Sequence, residues 1–365
     1  MTPQTENLRI TGMQELISPE DLASQLPGTA AATGTVLAGR TAIQDVLHGR
    51  DDRVIAVVGP CSIHDPKAAM DYAGRLAPLR ARLAGQLEIV MRVYFEKPRT
   101  ISGWKGLIND PGLDGSFRIN EGLGLARRLC LDINALGLPV GTEFLDTAVP
   151  QYISDLVAWA AIGARTTESQ IHREMASGLS CPVGFKNGTR GNVQIAADAV
   201  RSAAHPHHFM ALAKSGRAAI AATSGNPDCH LILRGGGGTN YDAASVDAAC
   251  KLAEKDGISG HVMIDASHAN SGKDPMQQPA VLRDVAGQIA GGDSRITGVM
   301  IESHLVAGRQ ELGQGGLTYG QSITDGCLGW EDTVAELEAL AEAVTARRAQ
   351  ADRAARAAEP SLAEA

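Results

Sequence analysis

Apolar positions along the chain follow two alternating patterns. Short runs that are apolar throughout are separated by longer amphipathic stretches. A run without polar alternation suits a strand buried on both faces, and the amphipathic stretches suit helices that cover it, so the alternation predicts parallel β/α architecture. Eight runs stand out: Val54–Val58, Leu87–Arg92, Pro139–Glu143, Ala160–Arg165, Pro182–Lys186, His230–Arg234, His261–Asp265 and Gly298–Glu302. Eight units predict an α/β fold closed as a (β/α)8 TIM barrel. An open doubly wound sheet also places ligands at strand C-termini, but no dinucleotide-binding glycine fingerprint opens the first helix here.

Three further segments interrupt the alternation. Residues 1–50 read as a polar, helical extension, with Ser18 as N-cap and Pro19 at the first helical position. The stretch before the sixth run is too long for one helix. Phe209–Ala213 and Ala218–Thr223, joined across Ser215-Gly216, predict a β-hairpin inserted within 205–225. The barrel is expected over 51–348, and the Ala-, Glu- and Arg-rich stretch 349–365 as a frayed tail.

Composition narrows the function classes. The 365 residues carry a net charge of −8, which argues against nucleic acid as the main partner. Any anion site must therefore come from locally gathered Arg and Lys. None of the six cysteines forms a C-x-x-C pair, which removes zinc-ribbon and thioredoxin-like readings. There is no signal peptide and no apolar window long enough to span a membrane. A cytoplasmic protein with reduced thiols is the expectation.

The residues ending each run carry the chemistry: Cys61, Arg92, Glu143, Arg165, Lys186, Arg234, His268 and Glu302. Arg92, Arg165, Lys186 and Arg234 would all face one cavity. Buried cations need anionic partners, and Glu143 alone is too little, so a bound phosphate or a phosphate with a carboxylate fits better than structural ion pairs. Arg99 and Thr100, in Lys97-Pro98-Arg99-Thr100, offer a second anion site. Cys61, His268, Glu302 and Asp325 combine a thiolate, an imidazole and two carboxylates, a permissive donor set for Mn, Fe, Co or Zn. His205, His207 and His208 lie by the hairpin and read as surface. The run Gly235–Gly238 reads as a mobile loop. Two anion sites and an electrophile-polarising metal suit the joining of two phosphorylated small molecules.

Longer strings then become recognisable. GPCSIHDP from Gly59, MRVYFEKPRT from Met91, GWKGLINDP from Gly103, ARTTESQIHRE from Ala164 and GFKNGT from Gly184 resemble the class I, microbial type of 3-deoxy-D-arabino-heptulosonate-7-phosphate (DAHP) synthase. ILRGG from Ile232, IDASHAN from Ile264, ESHL from Glu302 and YGQSITDGCLGWEDT from Tyr319 continue the resemblance in order along nearly the whole chain. It implies condensation of phosphoenolpyruvate with erythrose 4-phosphate, releasing phosphate, at the first step of aromatic amino-acid biosynthesis. It also implies Cys61, His268, Glu302 and Asp325 as metal ligands, Arg92, Arg165, Lys186 and Arg234 as phosphoenolpyruvate contacts, and Lys97, Arg99 and Thr100 as erythrose-phosphate contacts. Gly235–Gly238 is glycine-richer than the family's loop. The rivals are the related synthase acting on arabinose 5-phosphate, a class II aldolase on the same barrel, and a non-catalytic relative that binds an aromatic metabolite.

Neither the extension nor the hairpin is needed for the chemistry. The resemblance implies that they form homo-oligomer contacts, dimer or tetramer, and an aromatic amino-acid effector site. Pro150, Gln151, Leu179, Ser180 and Phe209 match that pocket, whereas Ala211 stands where Ser or Gly would be expected. The simpler alternative is that these elements cap the barrel bottom.

Overall fold

The computed structural model describes residues 5–99, 101–313 and 315–358. The barrel strands are β1 (Val54–Gly59), β2 (Leu87–Arg92), β3 (Val140–Glu143), β4 (Trp159–Ile162), β5 (Val183–Lys186), β8 (Cys229–Leu233), β9 (Val262–Asp265) and β10 (Ile296–Glu302). They close in the order β1-β10-β9-β8-β5-β4-β3-β2, and every pairing around the ring is parallel. Three expected strand ends move, the first running on by one residue to Gly59. The fourth strand stops at Ile162 and the sixth at Leu233, so Arg165 and Arg234 ride on the loops beyond them.

Inward-facing Ile55, Val57, Val90, Trp159, Ala161, Ile232, Met263 and Met300 fill the barrel. The same cluster takes in Ile43, Val46 and Leu47 from helix α2 (Ala30–Leu47), which closes the bottom. Gly39 of that helix lies so near Pro139 that a Cβ would meet the proline Cβ at 2.8 Å. Bottom-capping is thus the work of the second half of the extension. The first half lies elsewhere. Ser18 accepts from the backbone N–H of Asp21 to cap α1 (Pro19–Gln25), and the Glu20 N–H donates to the carbonyl of Lys214 in the inserted hairpin.

The hairpin pairs β6 (His208–Leu212) with β7 (Ala218–Ala222) antiparallel, with Met210 opposite Ile220. Of its histidines, His205 and His208 are exposed and His207 is half-buried. After β10 the chain forms a feature that the apolar runs do not announce. β11 (Val306–Arg309) and β12 (Gln321–Ser322) pair as a small two-stranded sheet, and bridges from Ser303 to Leu328 and Gly308 to Cys327 fold the following loop back over the barrel mouth. No boundary falls at Arg348, because helix α10 runs unbroken from Trp330 to Ala358. Residues 359–365 of the expected tail lie outside the described residues.

Candidate active site at the mouth of the barrel

The side chains at the strand C-termini line a cavity of about 140 Å³. Arg92, Lys97, Arg99, Arg165, Lys186, Arg234 and Lys273 face it, against the carboxylates of Glu143 and Asp325. Every candidate cation named from the sequence therefore reaches one space, and Lys273 joins them. Thr100 lies outside the described residues.

The cations are not equivalent. Arg92 is 1% exposed and already committed. Its Nε donates to the Pro60 carbonyl at 3.1 Å, and its Nη2 donates to the Cys61 carbonyl at 3.2 Å and to Glu302 Oε1 at 2.9 Å. The guanidinium carbon stacks 3.5 Å above the ring of Tyr94. Lys186 is paired with Asp265 at 3.0 Å. By contrast, the guanidinium groups of Arg165 and Arg234 have no hydrogen-bond or ion-pair partner among the described residues, although Arg234 is only 8% exposed. A guanidinium so deeply placed and so unpaired is poised for an anion.

Local structure explains these positions. Asp65 caps helix α3 (Pro66–Leu83) by accepting from the N–H groups of Lys67 and Ala68, which turns the chain sharply after Cys61. Gly163 lets Glu143 stand beside β4, because a Cβ there would meet Glu143 Oε1 at 2.6 Å. The glycine run is not a loose loop. A Cβ on Gly236 would meet the Gly191 nitrogen at 1.9 Å, so close backbone packing against Arg190-Gly191 demands glycine. Asn187 Oδ1 accepts from the Arg234 N–H at 2.8 Å and fixes where that loop begins.

Under the cations lie the candidate metal ligands. One ligand atom each from Cys61, Glu302 and Asp325 fall within 4.8 Å of one another. His268 Nε2 is 3.9 Å from Glu302 Oε1. Ligands about 2.0–2.3 Å from a common ion lie a few ångströms apart, so this thiol–carboxylate spacing fits a divalent cation. Burial and the neighbouring Glu302 push the Cys61 thiol up to about 11, partly opposed by Lys97, whose Nζ is 3.1 Å from the sulfur. Burial disfavours the Lys97 ammonium, but Cys61 and Glu302 outweigh it and hold that pKa above its ordinary value.

Three neighbours of the site were missed from the sequence. Asp265, 0% exposed, accepts from Ser267 Oγ at 2.6 Å and pairs with Lys186 and His268. Its position at the end of the seventh run was the available signal. Cys327 Sγ accepts from the Cys61 N–H at 3.4 Å. Glu96 accepts from the N–H groups of Leu145 and Asp146, tying the loop after β2 to the loop after β3. Nothing in the spacing of Cys327 or Glu96 marks either one.

The sequence model of the DAHP synthetase I family matches residues 29–338. The chain belongs to that family. Its relatives include the Phe-sensitive phospho-2-dehydro-3-deoxyheptonate aldolase of Escherichia coli (strain K12), 58% identical over 95% of this chain and 100% of that protein. The Trp-sensitive enzyme of the same strain is 52% identical, over 94% of this chain and 99% of its own length. A solved phospho-2-dehydro-3-deoxyheptonate aldolase from Francisella tularensis SCHU S4 superposes with a TM-score of 0.92 at 53% identity, covering 93% of this chain and 99% of that one. The class I DAHP synthase resemblance and the TIM-type barrel both hold. No helix among the described residues is long and apolar enough to cross a membrane.

Proposed function

We propose that the barrel mouth carries out the DAHP synthase reaction (EC 2.5.1.54) with the residues described above in distinct roles. The reaction joins phosphoenolpyruvate to D-erythrose 4-phosphate, with uptake of water and loss of inorganic phosphate, at the first step of aromatic amino-acid biosynthesis. The observation that carries the assignment is the pair of guanidiniums without a partner among the described residues, Arg165 and Arg234, lining a cavity whose wall includes Asp325 of the Cys61, Glu302 and Asp325 cluster.

Arg165, Arg234 and Lys186 hold the phosphate and carboxylate of phosphoenolpyruvate. Arg99, with Thr100, holds the aldose phosphate. Arg92 serves the site chiefly by fixing Glu302 and the Cys61 carbonyl. Cys61, His268, Glu302 and Asp325 would hold a divalent ion, Mn, Fe, Co or Zn, which when bound supplies Lewis-acid polarisation of the aldehyde carbonyl. The gathered residues place the enol carbon against the aldehyde carbon, and this proximity is worth several kcal/mol of barrier. The cations stabilise charge that develops on the reacting oxygens. Lys97 keeps its proton beside the ligand cluster and is placed to protonate the new alkoxide. Water adds to the former enol carbon, and phosphate leaves while Arg165 and Arg234 neutralise it.

Regulation by an aromatic amino acid rests on the Phe- and Trp-sensitive relatives. Pro150, Gln151, Leu179, Ser180 and Phe209 are the candidate pocket. Lys214 of the hairpin reaches the Gln151 carbonyl, and Tyr152 Oη donates to the Ile17 carbonyl at 2.7 Å, so the hairpin, α5 (Pro150–Ile153) and the extension meet there. Exposed Leu8, Met13, Met210 and Ile220 support burial in a homo-oligomer, dimer or tetramer.

The deciding experiment measures phosphate release from phosphoenolpyruvate with erythrose 4-phosphate and with arabinose 5-phosphate, on chelated enzyme and after addition of each metal. Metal-restored turnover with the four-carbon aldose is expected. Turnover only with the five-carbon sugar would assign the rival synthase.

A further inference from the structure

The end of β9 holds a carboxylate that no step above uses. Asp265 is fully buried, and its Oδ2 lies 3.0 Å from Lys186 Nζ and 2.9 Å from His268 Nδ1. Its Oδ1 accepts from both the N–H and the Oγ–H of Ser267, at 3.0 and 2.6 Å. Lys186 ends β5 and Asp265 ends β9, with β8 between them in the ring. The carboxylate therefore spans the inside of the barrel mouth. On one side it touches a cation assigned to phosphoenolpyruvate, and on the other an imidazole assigned to the metal.

This geometry fixes the imidazole. Ser267 Oγ spends its proton on Asp265, so it can only accept from His268 Nδ1, 2.7 Å away. Asp265 can also only accept. Nδ1 therefore carries the proton, and the Nε2 lone pair is directed towards Glu302, 3.9 Å away. A carboxylate behind a ligating histidine sets the ring's tautomer and raises its basicity. The backbone supports the same orientation, since His268 sits at φ 58°, a left-handed conformation that a non-glycine residue adopts only when its surroundings enforce it.

We propose that Asp265 is a positioning residue that couples the two halves of the site, orienting His268 for the metal and holding Lys186 for phosphoenolpyruvate through one shared carboxylate oxygen. The proposal rests on the roles given above to Lys186 and His268. A purely structural ion cluster would stabilise the fold without linking the two affinities.

Asp265→Asn keeps the shape but cannot present an anionic oxygen to two donors at once. The chelated variant is titrated with Co2+, following the thiolate-to-cobalt absorption, and KM is measured separately for each substrate. The Co2+ dissociation constant is expected to rise about 10–100-fold. KM for phosphoenolpyruvate should rise about tenfold, while KM for erythrose 4-phosphate stays within about twofold. A folded variant in which either the metal constant or the phosphoenolpyruvate KM is unmoved overturns the coupling, as does an equal rise in both substrate KM values. Should Asp265→Asn fail to fold, Ser267→Ala carries the test, since it frees the Asp265 carboxylate to shift. Because Ser267 also touches His268, the deciding readout there is the phosphoenolpyruvate KM: a rise together with a weakened Co2+ constant supports the proposal, and an unchanged KM overturns it. His268→Ala and Lys186→Ala run alongside. If these do not weaken metal and phosphoenolpyruvate respectively, the site assignment is at fault rather than the link.

Discussion

Arg92 Nη2 and Glu302 Oε1 lie 2.9 Å apart with both side chains almost wholly shielded, at 1% and 2% exposure. Removing one member of such a pair leaves an uncompensated buried charge, at a penalty of about 3–5 kcal/mol. Gln278 brackets the same glutamate, donating to its carbonyl and accepting from its N–H, each at 3.0 Å. Arg92→Met and Glu302→Gln are each expected to destabilise the metal-free enzyme by about that amount, and the double variant by less than the sum. Chemical denaturation of all four forms checks this. Strict additivity would show that the pair is not coupled.

The thiol at Cys61 is buried, and among the described residues it has no structural partner beyond Lys97. Cys61→Ala should stay folded, bind divalent metal far more weakly and lose turnover, and chelation should do the same to the parent enzyme reversibly. Metal content after dialysis, read beside circular dichroism, separates these outcomes. Full turnover of metal-free Cys61→Ala would remove the cluster from the reaction.

The guanidiniums of Arg165 and Arg234 have no partner to lose among the described residues, so substituting them acts on ligand binding. Each Arg→Ala change should remove a charge-assisted bond worth roughly 1.5–3 kcal/mol and raise KM for phosphoenolpyruvate about tenfold or more. Arg99→Ala should act on erythrose 4-phosphate instead. Identical substrate profiles for Arg165→Ala and Arg99→Ala would contradict two separate anion sites.

Burial raises the Glu96 carboxyl to about 8, in spite of the N–H groups of Asp146 and Leu145 that it accepts from. Its ordinary value is 4.5. Between those two values the folded chain retains a proton that the unfolded chain releases, so stability declines as pH rises through the interval. Glu96→Gln has no charge to bury. The Tm of the variant minus that of the parent should therefore become more positive from about pH 5 to about pH 8.5. A constant difference over that range would show that Glu96 is not held protonated.

The extension is divided by the structure, and so is its test. Deleting through residue 40 would strip Ala32, Val36 and Gly39 from α2 and uncover the barrel bottom. Deleting only residues 1–16 leaves the Ser18 cap and α2 in place. That shorter deletion should keep turnover and reduce inhibition by an aromatic amino acid, with a loss of coupling of roughly 1–3 kcal/mol. Inhibition curves with Phe, Tyr and Trp before and after deletion decide it. Undiminished inhibition would separate the extension from the effector site.

The sequence by itself determined the barrel and most of its chemistry. Strands buried on both faces must be apolar throughout, so eight such runs announce themselves, and polar residues just past their ends mark the catalytic face. Cys61, Arg165, Lys186, Arg234, His268 and Glu302 were named that way, Asp325 from the segment well beyond the eighth run, and the barrel mouth brings them together. Only the tertiary structure decided how those side chains divide their bonds. Arg92 and Arg234 look alike in sequence, yet one is fully engaged by Glu302 and backbone carbonyls and the other's guanidinium has no partner among the described residues. Asp265 ended a run in plain view, but its meaning depends on Lys186, which is distant in sequence and brought close by closure of the ring. The glycine run shows the same limit: composition suggests mobility, whereas the approach of Gly236 to Gly191 imposes close packing. Periodicity records what each residue's own segment buries, and pairings between segments arise only once the barrel closes.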